Sequence, residues 1–346
     1  ESIARHEKAL AFEADRLVQD AVTEKVKGQD PLSPQAIFAK WLRGGDKALT
    51  AEDYAVIRNT MSTGTGSEGG YTVPTETATT VLDALKAFGG MREACTVIRT
   101  GSGASMEWPT SDGTSEEGEI LGENEAATDS DPTFGTKSLP VQKFSSKVVA
   151  VPIELIQDTG VDLEAFIRAR LVQRLGRITN KKFTIGEPQG IVGAITLGKA
   201  GASGQTTTVI YDDLIDLIHS VDPAYRAMPK CGFMFADSTL KGLRKLKDGE
   251  SRPLWQPGLT SKEPAALMGF PYTINQNVAA MASGAKSILF GDFGSYVIRD
   301  AMSLEFFRFT DSAYAKKGQV GFLAFMRSGG NYMDVGGAVK YYQNAS

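Results

Sequence analysis

Asp162 to Phe183, DLEAFIRARLVQRLGRITNKKF, is the stretch whose reading decides how this chain is built. Leu163, Phe166, Ile167, Leu171, Leu175 and Ile178 recur at three- and four-residue intervals, which lines them up along one face of a helix. Arg168, Arg170, Arg174, Arg177, Lys181 and Lys182 occupy the other face. Asp162 stands where an N-cap belongs, and no proline interrupts the run. At about 1.5 Å per residue the helix measures roughly 33 Å, about twice the average for globular proteins. An acidic Gly/Ser/Thr segment precedes it and Gly186, Pro188 and Gly190 follow it. It reads as a spine joining two differently built halves, and nothing beside it has a catalytic pattern.

Working outward, 346 residues suffice for two or three domains with ample core. Apolar content of 42% and charged content of 23% belong to the folded globular class. A net charge of −4 excludes a global basic field of the kind that draws a protein to nucleic acid or anionic membranes. Cys95 and Cys231 are too few and too far apart for a disulfide framework or a thiolate metal site, so a reduced intracellular setting is the simplest expectation. No run approaches the ~18–20 apolar residues of a membrane span, and no signal peptide is recognisable. The sequence begins at Glu1 rather than methionine, as expected if residues upstream were cleaved or lie outside it.

Before the spine, Arg5 to Lys27 has helical periodicity through Leu10, Leu17 and Val26, a stripe with little nearby in sequence to cover it. Ser33-Pro34 predicts a capped helix carrying Trp41, and Thr50 with Asp53 predicts a capping box. Met61 to Gly70 contains Gly64-Thr65-Gly66-Ser67-Glu68-Gly69, formally a dinucleotide fingerprint. That motif needs a strand before it and a helix opening on its glycines; here a helix precedes and Tyr71-Thr72-Val73-Pro74 follows, so a linker is the better reading. A helix is expected over Glu76–Lys86 and strands over Cys95–Thr100 and Met106–Pro109. From Asp112 to Asp131 there are eight carboxylates and no basic residue. The spacing does not fit an EF-hand, and although paired acids for glycoside hydrolysis are arithmetically available, a solvated loop is the simpler reading. Strand-like sequence returns over Phe134–Val151, completing a long two-stranded arm.

After the spine, Ile191–Val209 is rich in Gly, Ser and Thr. Tyr211–Val221 predicts a helix with the stripe Leu214, Leu217, Ile218 and Val221. Cys231–Ala236 reads as a buried strand and Ser238–Leu246 as a helix, followed by the proline-punctuated Arg252–Pro257. Strands are expected over 287–290, 295–298, 304–309, 320–327 and 335–342. Helices and strands mix without βαβ alternation, which predicts an α+β fold. The only histidines, His6 and His219, stand beside no marked nucleophile, so catalysis is not expected. The spine arginines have the chemistry to grip phosphate, but a charged outer helix face ordinarily meets solvent or acids.

The order of these pieces resembles a known family. Gly69-Gly70-Tyr71 with Val73-Pro74, the acidic hairpin, the spine, Pro188-Gln189-Gly190-Ile191, and Gly291-Asp292-Phe293 with Tyr296 are similar to the tailed-bacteriophage major capsid proteins of the Hong Kong ninety-seven-type fold. The resemblance implies an N-terminal helical arm and hinge over 1–72, and an extended hairpin over 105–147 lying on a neighbouring subunit. It implies a peripheral domain from 73–104, 148–190 and 303–333, and an axial domain from 191–302 with a last strand in 334–346. It implies hexamers and pentamers of one subunit, an icosahedral shell around double-stranded DNA held without sequence-specific contacts, assembly in the host bacterial cytoplasm, and residence in the virion. Portal and cement or scaffolding proteins would be partners; no cofactor, metal, membrane or catalytic residue is expected. Leu10, Leu17, Val26, Trp41, Trp108 and Phe134 are the expected intersubunit contacts. An encapsulin-type nanocompartment shares the fold and is the alternative, with a glycosidase using the acidic loop a more distant one. Part of the family cross-links a hairpin lysine to a neighbour's asparagine. Lys137, Lys143 and Lys147 supply the first half, but no asparagine occurs from Ser303 through Gly330 and Asn331 is the nearest, so no cross-link is expected.

Overall fold

The computed structural model describes residues 33, 36–37, 40–41, 44–60, 70–72, 89–111, 120, 134–154, 163–187, 189–247 and 266–346. In chain order its helices are α1 (Ala51–Thr60), α2 (Gly90–Ala94), α3 (Leu163–Ile185), α4 (Ile191–Ala194), α5 (Tyr211–Ser220), α6 (Pro223–Arg226), α7 (Asp237–Arg244) and α8 (Ser312–Ala315). The strands are β1 (Gly70–Thr72), β2 (Thr96–Thr100), β3 (Glu107–Ser111), β4 (Phe134–Ser138), β5 (Gln142–Ser145), β6 (Val149–Pro152) and β7 (Thr196–Ala200). They continue as β8 (Cys231–Phe235), β9 (Ala266–Leu267), β10 (Phe270–Ile274), β11 (Lys286–Asp292), β12 (Tyr296–Phe309), β13 (Gln319–Tyr332) and β14 (Val339–Gln343). The expected helices over 5–27 (with His6, Leu10, Leu17 and Val26) and 76–86, the linker at 61–69, and the segment 252–257 lie outside the described residues. So does the acidic segment apart from Ile120.

One six-stranded sheet runs β1-β12-β13-β5, with β2 also on β12 and β6 also on β13. A second runs β7-β14-β11-β8-β10-β9, and β3 with β4 makes a separate ribbon. The chain divides into two units: Glu1–Thr77, Ala150–Phe166 and Phe306–Phe322 form one, and Ala78–Val149, Ile167–Glu305 and Leu323–Ser346 the other.

In the larger unit, β8 explains its unbroken apolar sequence. It pairs antiparallel with β11 and parallel with β10, and all five of its residues are buried. Phe233, Phe235, Ile288 and Phe290 face a core that also takes Leu214, Leu217 and Ile218 of α5 and Leu240 and Leu243 of α7. Met234 and Leu289 point into a second core with Met91, Phe183, Tyr296 and Tyr332. A strand covered on both faces has no need of polar alternation. The α5 stripe falls where its periodicity puts it, with Leu214, Leu217, Ile218 and Val221 all buried.

Three sequence expectations need correction. The buried face of α3 does not follow Ile178, which is 43% exposed; it passes through Ile167, Leu171, Val172 and Leu175 to Thr179, Asn180, Phe183 and Thr184. The polar members are tolerated there because each is hydrogen-bonded. Thr179 and Thr184 donate to carbonyls one turn back, and Asn180 Nδ2 donates to Asn275 Oδ1 at 2.8 Å. The strands expected at 295–298 and 304–309 are one fourteen-residue strand, β12. The Gly/Ser/Thr-rich stretch 191–209 contains β7, an edge strand parallel to β14, whose half-exposed setting left no apolar signal.

In the smaller unit the predicted capping box is present. Thr50 N donates to Asp53 Oδ2 at 2.9 Å, and Asp53 N to Thr50 Oγ1 at 3.3 Å, at the start of α1. Lys40 Nζ reaches the same carboxylate at 3.0 Å.

Candidate functional site: the root of the projecting ribbon

β3 and β4 pair antiparallel, Glu107 opposite Ser138 through Ser111 opposite Phe134. A two-stranded ribbon is marginal alone, so what fixes it at its base matters. Arg299 of β12, almost fully buried, is the main anchor. Its Nη1 donates to the carbonyls of Ala104 (2.8 Å) and Leu139 (3.2 Å), Nη2 to Ser102 (3.0 Å), and Nε to Thr100 Oγ1 (3.0 Å). One guanidinium thus holds both the outgoing and the returning leg. The planar fork with five donors suits this task; a lysine ammonium would not span it.

The neighbouring residue of β12 makes a second anchor. Asp300 accepts two bonds from Arg92 of α2, at 2.7 and 2.9 Å, and one from Ser328 Oγ at 2.6 Å, all fully enclosed. Phe183 lies 5.8 Å beneath the same guanidinium. α2, β12 and β13 are thereby held in register under the ribbon.

The returning leg is held from β13. Lys137 Nζ donates to the carbonyls of Tyr332 (3.2 Å) and Asp334 (2.7 Å), and Asn331 Nδ2 to that of Ser138 (2.9 Å). Burial lowers the Lys137 amine from its ordinary range, against the pull of Asp334. Leu139, Val297 and Met333 close over Ile98, Met106 and Trp108. Gly329 is required because a Cβ there would lie 1.7 Å from the Pro140 carbonyl oxygen. Beyond β5 the chain turns through Lys147 at φ 57°, and Arg174 of α3 donates to the carbonyls of Ser146, Lys147 and Val148 at 3.4, 3.4 and 3.0 Å.

Two of the motifs singled out in sequence, those containing Gln189 and Tyr296, meet in this unit. Tyr296, fully buried, donates to the carbonyl of Gln189 at 2.9 Å, and burial raises its phenol well above the usual range. Asp292 accepts from Gly294 N at 3.0 Å to close the turn between β11 and β12.

Of the expected contact residues, Phe134 is 73% exposed where β4 begins, and Trp108 is half-buried at the root. Trp41 is 2% exposed, its indole donating to Asp46 at 2.9 Å. His219 is exposed at the end of α5, with Nδ1 3.3 Å from Arg226 Nη1. Arg299, Asp300 and Arg92 were not picked out from sequence; an Arg-Asp pair inside an apolar strand was the available signal. Among the described residues no cluster of three or more His, Cys, Asp or Glu is placed to hold a metal, and no helix is long and apolar enough to cross a membrane. What the geometry provides is mechanical: a ribbon fixed at its base, with β3 and β4 themselves half-buried or exposed.

Residues 69–343 match the family model described as the phage capsid family, and the chain belongs to that family. Among solved structures it is similar to the capsid of a native GTA particle, at 25% identity and a TM-score of 0.63, covering 86% of this chain and 99% of that one. The capsid of the empty GTA particle gives 25% identity and 0.62, covering 75% and 90%. A chain of Mycobacterium phage Adephagia gives 16% and 0.56, covering 75% and 90%. A comparison with curated protein sequences finds no match. The fold is the α+β fold of phage capsid proteins, and the chain is a structural protein of the bacteriophage virion type, the major capsid protein of a shell.

Proposed function

We propose that this protein self-assembles as hexamers and pentamers into a closed icosahedral shell that encloses double-stranded DNA without reading its sequence. The observation that carries the reading is the clamped ribbon, in a chain whose family match spans residues 69–343. In this reading the ribbon, within 105–147, lies over a neighbouring subunit. The sheet containing β8, with residues 191–302 and 334–346, meets around the symmetry axes, and 73–104, 148–190 and 303–333 form the peripheral part. Contacts run through Phe134, Trp108 and the arm residues Leu10, Leu17 and Val26. Trp41, enclosed by its own chain, contributes by what it positions.

The role is structural rather than enzymatic, and the slightly acidic balance suits a container, because affinity for duplex comes mainly from neutralised phosphates. Portal and cement or scaffolding proteins complete the particle, which assembles in the host bacterial cytoplasm. Electron microscopy of the expressed protein, with nucleic acid quantified inside purified particles, tests this. Uniform closed shells are expected; a strictly monomeric protein under native conditions overturns it.

A further inference from the structure

Asp334 stands in the crossing that carries the chain from β13, in the first sheet, to β14, in the second. Its backbone and its side chain face different elements. The carbonyl accepts from Lys137 Nζ of β4 at 2.7 Å, and the Tyr332 carbonyl accepts from the same amine at 3.2 Å. The carboxylate accepts from the Tyr225 hydroxyl of α6 on Oδ1 at 2.8 Å. On Oδ2 it accepts from Tyr332 Oη at 3.1 Å and from the Ala338 amide at 2.8 Å. Tyr332 Oη in turn accepts from the Val339 amide at 3.0 Å. Burial, and then Asp334, raises the Tyr332 phenol well above its ordinary range, so it stays a donor to the carboxylate. The crossing is fixed at both ends: Met333 N donates to the Ser295 carbonyl, and the Ala338 carbonyl accepts from Asp292 N, each at 2.9 Å.

Lys137 is thus gripped by carbonyls at positions 332 and 334, and the tilt of the second follows the seating of the Asp334 carboxylate. That seating is set from the far side by the Tyr225 hydroxyl. Tyr332 is buried, and Lys137, Tyr225 and Asp334 are half-buried, so water competes poorly for these bonds. We infer that Asp334 is a relay between α6 and the root of the ribbon: a shift of α6 turns the ribbon at its base, and a shift of the ribbon displaces α6. Coupling of this kind is reciprocal by linkage. Its carrier is a continuous chain of hydrogen bonds on a short segment pinned at both ends, with no gap for the displacement to be lost in. The inference rests on the shell reading for its meaning and deepens it. In that reading the ribbon meets one neighbour and the sheet containing β14 meets others around an axis, so a contact made at one is felt at the other, and subunits join in a preferred order.

Amide hydrogen exchange on the full chain as a free subunit tests this, with the amides of β8 reporting any global loss of stability. Tyr225→Phe removes a single hydroxyl from α6 and should speed exchange over 134–138 by about five-fold beyond any change at β8. Asp334→Ala keeps both carbonyls that hold Lys137, and should do the same. In the other direction, Lys137→Met should speed exchange by a similar factor over 225–228, whose four amides are all hydrogen-bonded. Over 134–138 the double change K137M/Y225F should exceed K137M alone by less than about two-fold, because both break one chain of contacts. An unchanged ribbon in Tyr225→Phe or in Asp334→Ala overturns the relay. So does an unchanged α6 in Lys137→Met, or full additivity in the double variant; Lys137 is then a local anchor and nothing more. Particle formation by the wild type is scored separately: its absence fails the shell reading and leaves the exchange result standing.

Discussion

Arg299 Nη1 donates to the Leu139 carbonyl at 3.2 Å, joining a sheet strand to a chain segment 160 residues earlier. The same guanidinium serves three further acceptors on the other leg of the ribbon. Replacing it by methionine leaves those groups without their donor in a buried site. Each such loss costs about 1–3 kcal/mol, not fully additive, so Arg299→Met should destabilise the subunit by about 3 kcal/mol. Arg299→Lys should recover less than half of this, since one ammonium cannot face both legs. Urea titration measures the loss, and amide exchange at Leu139 locates it; equal stability of the lysine variant and wild type would refute the clamp.

Arg92 and Asp300 form an enclosed pair at 2.7 and 2.9 Å. Removing either partner strands a buried charge, and about 3–5 kcal/mol is expected for Arg92→Leu or Asp300→Leu. The double change R92L/D300L should cost well below the sum. A double-mutant cycle by chemical denaturation reads the coupling, and simple additivity would show that the pair is not energetically joined.

Asp53 is held below its ordinary carboxylate range, first by the amide of Thr50 and then by Lys40. Its folded pKa lies below the unfolded value of 3.8, so its stabilisation is fully present above that value and is lost as pH falls through the folded pKa. Thermal melts from pH 6 down to pH 2.5 should show the wild type losing an increment that Asp53→Asn does not lose. At neutral pH the substitution should cost about 1 kcal/mol as a weakened cap. Parallel pH profiles for the two proteins would count against this assignment.

No covalent cross-link is expected in assembled particles. The Lys137 amine is engaged by two carbonyls, and Lys143 lies over the Phe325 ring at 3.9 Å. Asn331 uses both ends of its amide, Nδ2 on Ser138 and Oδ1 on the Tyr332 amide. Joining a lysine to an asparagine needs both groups free to come into contact. Denaturing electrophoresis of purified particles should give a single band near 37.1 kDa; a ladder surviving detergent, heat and reductant would refute the prediction.

Much of the architecture was legible because burial imposes a period. Leu214, Leu217 and Ile218 face the core as their spacing requires, and β8 is apolar throughout because both its faces are covered. The far end of α3 was misread at Ile178 because periodicity counts only apolar residues. Thr179, Asn180 and Thr184 take the buried face by bonding to the helix backbone and to Asn275. The root of the ribbon was opaque for a related reason. Arg299 acts on carbonyls from Ser102 to Leu139, and backbone acceptors carry no side-chain signature. β7 escaped notice as an edge strand, where half its surface remains in water and alternation fades.

Pro109 in β3 has a consequence for how the protein behaves at high concentration. Leu139 N donates to the Met106 carbonyl at 2.9 Å, and the antiparallel register steps from there through Trp108 opposite Lys137 to Pro109 opposite Thr136. Ladder bonds alternate along such a pair, so Pro109 falls at a position whose nitrogen turns outward. The open edge of the ribbon therefore lacks a donor in the middle of β3. Edge-on pairing with another ribbon, the route to open-ended fibres, is obstructed at that point. Among free subunits, pairing through the β3 edge is disfavoured, which leaves that side of the ribbon available for productive encounters.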